Sequence, residues 1–546
     1  MKMKRIILLV CLMVIFVNAQ QAEKPKLVVG IVIDQMRYDY LSRYRDLFGE
    51  GGFKELVENG YQCSNTQYTY LPTYTGPGHA SIFSGTAPWM HGIVGNYWFD
   101  RGSKKSIYCS DDSTVTAVGG TPEQGRYSPR LLLSNSIADE MRISNSFKSK
   151  TIGIAIKERS SILPAGHSAN GAYWFDEILG LWITSTYYMN ELPQWAKEYN
   201  AGKRPNELLK MKWETSFPVE KYTMCSEDDN PHEGLFKGET KPVFPHDIPT
   251  ITKALGNFSA IEGTPQGLTL TREFAEAAII GEKLGQGEFT DMLTLSFSST
   301  DYVGHRYGPQ AIETADIYIK LDKELKDFIS FLKKQFPKGD YLVFLTADHG
   351  AAEVPGYVRQ NHIDCGLLDF SAYDRVAEDA LRKKFSHPSN AKFISDIKNY
   401  QIYYDYDMLK KYNTTISEVT GIIRPELLKF VELREVFEST DLETRSSSYD
   451  PLRSRYFFGY NQKRSGDAWI VFNPGWLQHD SKGTSHGSPY EYDTHVPLLF
   501  YGMGVNKGEY RGKVEITDIA PTVSNFLKIS FPNGSFGNVI EGVFKK

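Results

Sequence analysis

Cysteine is scarce in this chain of 546 residues. There are five, none in a C-x-x-C arrangement, so a thiolate zinc site has little to build on. With Cys11 set aside in the leader described below, Cys63, Cys109, Cys225 and Cys365 remain. Four cysteines permit three pairings, and the sequence does not choose between them. Basic residues are not in excess: 61 Lys and Arg stand against 66 Asp and Glu, which argues against a general affinity for nucleic acid. No tract is of low complexity and aromatics are abundant, which argues against disorder. Beyond the first twenty residues no run approaches the roughly 20 apolar residues that a membrane span requires.

What is present begins with a leader. Lys2, Lys4 and Arg5 precede an apolar run from Ile6 to Val17, and Val17-Asn18-Ala19 supplies small residues for cleavage. The run is short for an anchor, and Val10 makes Cys11 a poor lipidation site. Residues 1–19 are therefore expected to be a cleaved export signal, and the mature protein to be periplasmic or secreted with no membrane contact. Residues 20–546 are too many for one minimal domain, so a large core with insertions is expected.

Five short runs rich in apolar and β-branched residues end abruptly: Lys26–Ile33, Thr151–Ile156, Met292–Phe297, Tyr341–Thr346 and Val496–Tyr501. Such runs suit strands buried on both faces, as in a parallel sheet. Helical spacing marks Leu132–Ile143, Arg272–Leu284 and Ala315–Phe336. The alternation predicts an α/β fold, a largely parallel central sheet sandwiched by helices. It breaks at about 190–265 and 354–466, read as an inserted cap and side segment. Within the second, Ile402–Tyr406 and Arg455–Tyr460 are expected as strands.

Ligands in such folds bind beyond the carboxyl ends of the strands. Asp34, Lys157, Asp301, Asp348 and His349 all fall there. Asp301 and His305 are spaced D-x-x-x-H, one helical turn apart. Asp348 and His349 are adjacent in TADHG, and His486 lies in the glycine-flanked KGTSHGS. Three Asp and three His could serve two zinc ions, each with about three protein ligands and an open position. Any one of these is weak: an Asp after a strand is usually a helix cap, and a lone His is usually structural. Their order along the chain is the stronger signal.

Thr75 lies in TYLPTYTGPGHAS, where glycines let a ligand approach and Ala80–Phe83 could open a helix. Beside a zinc ion its hydroxyl loses its proton far more readily. An ordinary turn threonine fits the loop as well, and Thr73 is a second hydroxyl two residues away.

Taken together, VVGIVIDQMRYDYL, PTYTGPGHASIFSGTAPWMHGIVGN, IAIKERSSILPAGHSANGAYWFD, SSTDYVGHRYGP, LTADHGA, GTSHGSPYEYDTHVPLLFYG and EITDIAPTVSNFL resemble the alkaline phosphatase superfamily. The resemblance, closest to its periplasmic members with a threonine nucleophile, runs from Lys26 to about Leu527. It implies that Thr75 attacks phosphorus. It implies that Asp34, Asp348 and His349 hold the zinc that also binds Thr75, and that Asp301, His305 and His486 hold the zinc facing the leaving group. Asn96 would bond one phosphoryl oxygen, and Lys157 and Arg159 the others. His79, His91, His167 and His495 are not expected as ligands. No C/S-x-P-x-R stands at Thr75, which lowers a sulfatase reading.

Lys157 and Arg159 bear on substrate class. A monoester dianion carries more charge on its free oxygens than a diester, so two fixed cations favour the monoester. The expectation is an exported phosphomonoesterase with two zinc ions and a phosphothreonine intermediate, acting as a monomer on small phosphorylated substrates. The alternatives are a phosphodiesterase or nucleotide pyrophosphatase of the same superfamily and, from another class, a non-catalytic zinc or phosphate binder.

Overall fold

The structure, a computed structural model, describes residues 24–388, 390–444 and 450–545. The proposed leader at 1–19 lies outside the described residues.

The architecture is mixed α/β. The strands that frame the centre are β1 (Leu27–Ile33), β2 (Tyr61–Gln67), β3 (Thr151–Ala155), β4 (Gly171–Asp176), β5 (Asp291–Phe297), β6 (Tyr341–Thr346) and β7 (His495–Gly502). They lie in the order β2-β7-β6-β1-β5-β3-β4, with shorter strands continuing both edges. β1 pairs in parallel with β6 and β5, and β3 with β5 and β4. Every residue of β1, β3, β5 and β6 is buried, which explains why these strands read as continuous apolar runs rather than alternating ones. β7 departs from expectation: it runs antiparallel to both β6 and β2. Burial on two faces sets its composition, and composition carries no direction.

Four helices set the site: α1 (Thr75–Ser84), α2 (Glu158–Ala165), α3 (Ser299–Tyr307) and α4 (Ile312–Gln335). α1 starts at Thr75, ahead of the expected Ala80. Tyr74 is extended at its N-cap and Pro77 lies in its first turn, where a missing N–H is tolerated. The other expected helices occupy Ile137–Ser144 and Pro265–Gly281. Ser136 and Asp139 close a capping box that starts the former five residues later than its apolar pattern.

Between 190 and 265 the chain forms short helices, Gln194–Ala201, Arg204–Leu208 and Ile248–Leu255, which pack on the main core through Ala196, Leu208 and Ile248. Trp213 Nε1 and the Tyr222 hydroxyl both donate to Asp316 of α4, at 2.7 Å each, which fastens this segment to the body.

The later segment builds a side layer with its own core, including Tyr373, Ile402, Val419 and Trp469. Its antiparallel sheet runs Ile394–Lys398, Gln401–Tyr404, Ala468–Phe472, Leu433–Glu438. Arg455–Tyr460, expected as a strand, instead ends a helix, Pro451–Gly459. Asp450 accepts from the Leu452 and Arg453 N–H groups and Pro451 takes the first position, so start signals override the strand preference of Tyr456, Phe457 and Phe458.

Cys63, Cys109, Cys225 and Cys365 are all free thiols. Among the described residues no helix is long and apolar enough to cross a membrane.

Candidate active site

The carboxyl ends of β1, β3, β5 and β6 open onto one cluster. Asp34 follows β1, Lys157 caps α2 after β3, Asp301 and His305 lie on α3 after β5, and Asp348 and His349 follow β6. The chain returns from the far end of the sequence to add His486. His305 Nε2 is 3.2 Å from Asp301 Oδ1, and His486 Nε2 is 3.7 Å from the same atom. His349 Nε2 is 3.5 Å from Asp34 Oδ1 and 3.4 Å from Asp348 Oδ2. Two ligand triads result, Asp301 with His305 and His486, and Asp34 with Asp301 and His349, each with donor atoms within 4.8 Å. Asp301 stands between them and Asp348 beside the second.

The histidines are oriented for coordination. Nδ1 of His305 lies 2.8 Å from the Thr484 carbonyl, that of His349 2.9 Å from Gly350, and that of His486 2.7 Å from Thr73. A carbonyl only accepts, so Nδ1 carries the proton and Nε2 presents its lone pair inward. Asp34 Oδ1, Asp348 Oδ2 and His349 Nε2 are buried without a hydrogen-bond partner. Buried orphans of this kind need an explanation, and oxygen and nitrogen donors converging without thiolate suit zinc.

Charge tells the same story. Burial, with Lys157 opposing and Asp301 adding, pushes Asp348 up to about 7. Burial raises Asp34 too, with Asp301 and Asp348 reinforcing it. Burial and the neighbouring His305 push His486 down to about 3, and burial holds His349 well below its usual range. Asp301 goes the other way: against burial, His305 and Lys157 hold it well below the usual carboxylate range, so it is Asp34 and Asp348 that are short of positive charge. One cation already stands in the cluster: Lys157 Nζ lies 2.8 Å from Asp34 Oδ2 and also bonds Asp301. Burial works against that ammonium, but Asp301 and Asp34 outweigh it and hold its proton more tightly than usual.

Gln35 went unnoticed in the sequence. Its N–H donates to Asp348 Oδ1 at 3.1 Å and its Nε2 to Asp301 Oδ1 at 2.6 Å, so one residue ties two candidate ligands. It adopts φ 63°, a conformation that side chains other than glycine rarely take, and no pattern in VIDQMR announces it.

Thr75 is buried at the start of α1. The helix passes so close to the Asp348 loop that a Cβ on Gly78 would lie 2.4 Å from the Asp348 carbonyl oxygen. Thr73 is committed elsewhere, its hydroxyl donating to the Ser488 carbonyl at 3.0 Å. The Gly76 N–H donates to Asn96 Oδ1 at 2.8 Å, which fixes the amide's orientation and frees Nδ2 to donate to a ligand. Pro77 has no N–H, so α1 offers an anion few backbone donors and side chains must supply the rest. Arg159, in the first turn of α2, donates from Nη1 to the Tyr108 hydroxyl at 2.9 Å, and Tyr108 in turn bonds Glu158. Tyr108 was not singled out in the sequence.

His79, His91 and His495 order their surroundings. His79 bonds the Thr75 carbonyl and Ser296, His91 bonds Ser81 and the Ile93 N–H, and His495 bonds the Ser64 carbonyl.

The chain is similar along most of its length to known proteins. The family described as Type I phosphodiesterase / nucleotide pyrophosphatase matches residues 28–496. The chain is 43% identical to alkaline phosphatase PafA of Elizabethkingia meningoseptica, over 95% of this chain and 94% of that one. It is 41% identical to alkaline phosphatase PhoV of Synechococcus elongatus (96% and 94%) and 42% identical to a protein of Myroides odoratus named calcium-transporting ATPase (96% and 95%). The crystal structure of wild-type PafA superposes with a TM-score of 0.92 at 42% identity, covering 96% of this chain and all of that one. A PafA variant with replaced threonine, asparagine, lysine and arginine residues superposes equally well, at 41% identity.

Proposed function

The chain belongs to the Type I phosphodiesterase / nucleotide pyrophosphatase family within the alkaline phosphatase superfamily, and we propose that it is a zinc-dependent alkaline phosphatase that hydrolyses phosphate monoesters through a covalent phosphothreonine at Thr75. One observation carries the reading: inward-facing imidazole nitrogens and unpartnered carboxylate oxygens converge beside Thr75, with two fixed cations on the neighbouring helix start.

Asp34, Asp348 and His349 would hold one zinc and Asp301, His305 and His486 the other. The two ions, when bound, supply Lewis acidity that eases loss of the threonine proton and takes up charge on the departing oxygen. The rest is done by the chain. Thr75 Oγ attacks phosphorus in line, the phosphorus–ester oxygen bond breaks, and the alcohol leaves. Water then attacks phosphorus and the threonine oxygen departs. Two inversions leave configuration at phosphorus unchanged. Asn96 Nδ2 donates to one phosphoryl oxygen while its Oδ1 is held by Gly76. Lys157 and Arg159 neutralise the others, which matters most in the transition state.

The family description also names phosphodiesterases, and the cation pair favours the monoester reading. A diester has one charge for two such cations to meet and a monoester two, so substrates with the single ester link are preferred. The leader expected at 1–19 supports export, and the phosphatase relatives support small phosphorylated substrates.

The test is direct. Purified enzyme reacted with 4-nitrophenyl phosphate and quenched in acid is digested and sequenced by mass spectrometry. Phosphate on Thr75, activity abolished by chelation and restored by zinc, and a Thr75→Ala variant that keeps its zinc but loses roughly 10³-fold or more in kcat/KM are expected. Full turnover by zinc-loaded Thr75→Ala would overturn the assignment.

A further inference from the structure

The side layer sends one turn into the wall of the site. Its strands Ile394–Lys398 and Gln401–Tyr404 are paired with Lys398 opposite Gln401, leaving a two-residue turn, Asn399-Tyr400. Both residues are left-handed, with φ 53° and 65°. That is the geometry of a tight hairpin turn whose twist matches its strands, and it favours Asn first and Gly second. Tyrosine at the second position is strained, and strain of this kind persists only where surrounding contacts enforce it.

Part of that enforcement is local, from the Phe472 and Phe370 rings against Tyr400 and the Ile470 N–H on its carbonyl; further contacts lead to the site. The Asn399 amide donates from Nδ2 to the Tyr97 carbonyl at 2.6 Å, on the residue directly after Asn96. Gly95, directly before Asn96, leaves room for that approach, because a Cβ there would lie 2.3 Å from Asn399 Nδ2. The Asn96 carbonyl is itself held by the Cys109 N–H at 2.9 Å. Tyr400 packs its ring against Tyr74, the N-cap residue ahead of Thr75, with centroids 6.4 Å apart. Its hydroxyl donates to the His486 carbonyl at 3.5 Å. One turn therefore touches the neighbours of Asn96, Thr75 and His486 at once.

We infer that the Asn399-Tyr400 turn is a positioning element for the phosphoryl site, and that Asn399 aims the Asn96 amide by pinning the backbone just after it and packing against Gly95 just before it. The inference rests on the reading of Asn96 as a phosphoryl contact. Asn399 touches no substrate; it acts through Asn96. The inserted side layer thereby has a role in the reaction, holding from outside a loop that the central sheet does not reach.

A double-mutant cycle tests this on the full-length, zinc-loaded enzyme. Asn399→Gly removes the amide while keeping the left-handed turn, which glycine adopts freely. Asn399→Asp keeps shape and size but replaces the donor by an acceptor. Each is measured alone and combined with Asn96→Ala, by kcat/KM for 4-nitrophenyl phosphate, zinc content and urea midpoint. Either change at 399 should lower kcat/KM by roughly 10-fold in the native background and by less than about 2-fold when Asn96 is already alanine, with zinc content and midpoint retained. Equal losses in both backgrounds, or no loss in either, would overturn the inference. Should Asn96→Ala alone leave kcat/KM unchanged, the role given to Asn96 fails and the inference falls with it; a large Asn96→Ala effect with additive losses at 399 sinks the inference alone.

Discussion

Lys157 Nζ lies 2.8 Å from Asp34 Oδ2, inside a cluster whose carboxylates otherwise face one another. In this arrangement the lysine offsets charge that the proposed zinc ions would also offset. Lys157→Ala should therefore destabilise the zinc-free protein strongly, by about 3–5 kcal/mol, because buried charge is left unpaired. The zinc-loaded variant should lose far less. Urea unfolding with and without chelator measures the difference; equal losses in both forms would show that the ammonium does not share the task of the metals. The same variant should lose more activity toward a monoester than toward a bis-aryl diester.

Gly78 allows α1 to lie against the Asp348 loop. Alanine there forces the two apart and carries Thr75 away from Asp348 and His349. A displacement on the order of 1 Å at a reacting group is enough for about a 10²-fold loss. Gly78→Ala should lower kcat/KM by that order and weaken zinc binding, read by steady-state kinetics and by competition with a chromogenic chelator.

Tyr108 gives Arg159 an acceptor and passes the bond to Glu158. Tyr108→Phe removes that acceptor and leaves the guanidinium only its looser contact with Glu158, 3.7 Å away. Monoester kcat/KM should fall by roughly 10-fold and diester hydrolysis should hardly change, since the second cation matters least to a singly charged substrate. Equal losses for both substrates would assign Tyr108 to general packing.

His91 links α1 to the segment before Asn96 and sits remote from the candidate ligands in bonding terms, held by Ser81 and the Ile93 N–H. Burial, with Arg464 adding, pushes it down to about 3. Unfolded, it takes up a proton near 6.5. Below that pH the unfolded state binds the extra proton, so stability is fully present above about 6.5 and is lost as the pH falls toward 3, by up to about 1.4 kcal/mol per unit. His91→Gln should make the acid side of the stability profile shallower, a comparison that urea midpoints between pH 7.5 and 4.5 can make.

Most of the candidate ligands were legible because they follow a buried strand: an apolar run ended by Asp is a strong signal, and D-x-x-x-H needs only one helical turn, whereas His486 sits in a loop and was marked only by its flanking glycines. Thr75 was not separable from Thr73 by its loop, and the structure distinguishes them through a single bond from Thr73 to Ser488. Gln35, Tyr108 and Asn399 were invisible because their partners lie 266, 51 and 302 residues away. Long-range side-chain bonds leave no periodicity. The helix at Pro451–Gly459 was misread although Asp450-Pro451 marked its start, because the aromatic residues within it also suit a strand.

β7 lies between β6 and β2, and the loop carrying His486 leads into it. Until residues 495–502 have been made, two inner strands remain raw edges, ready to pair with any other chain. This strand is thus the keystone of the sheet rather than an appendage. A chain lacking this strand has no finished sheet to settle into, and the loop that delivers His486 to the cluster has nothing to anchor it.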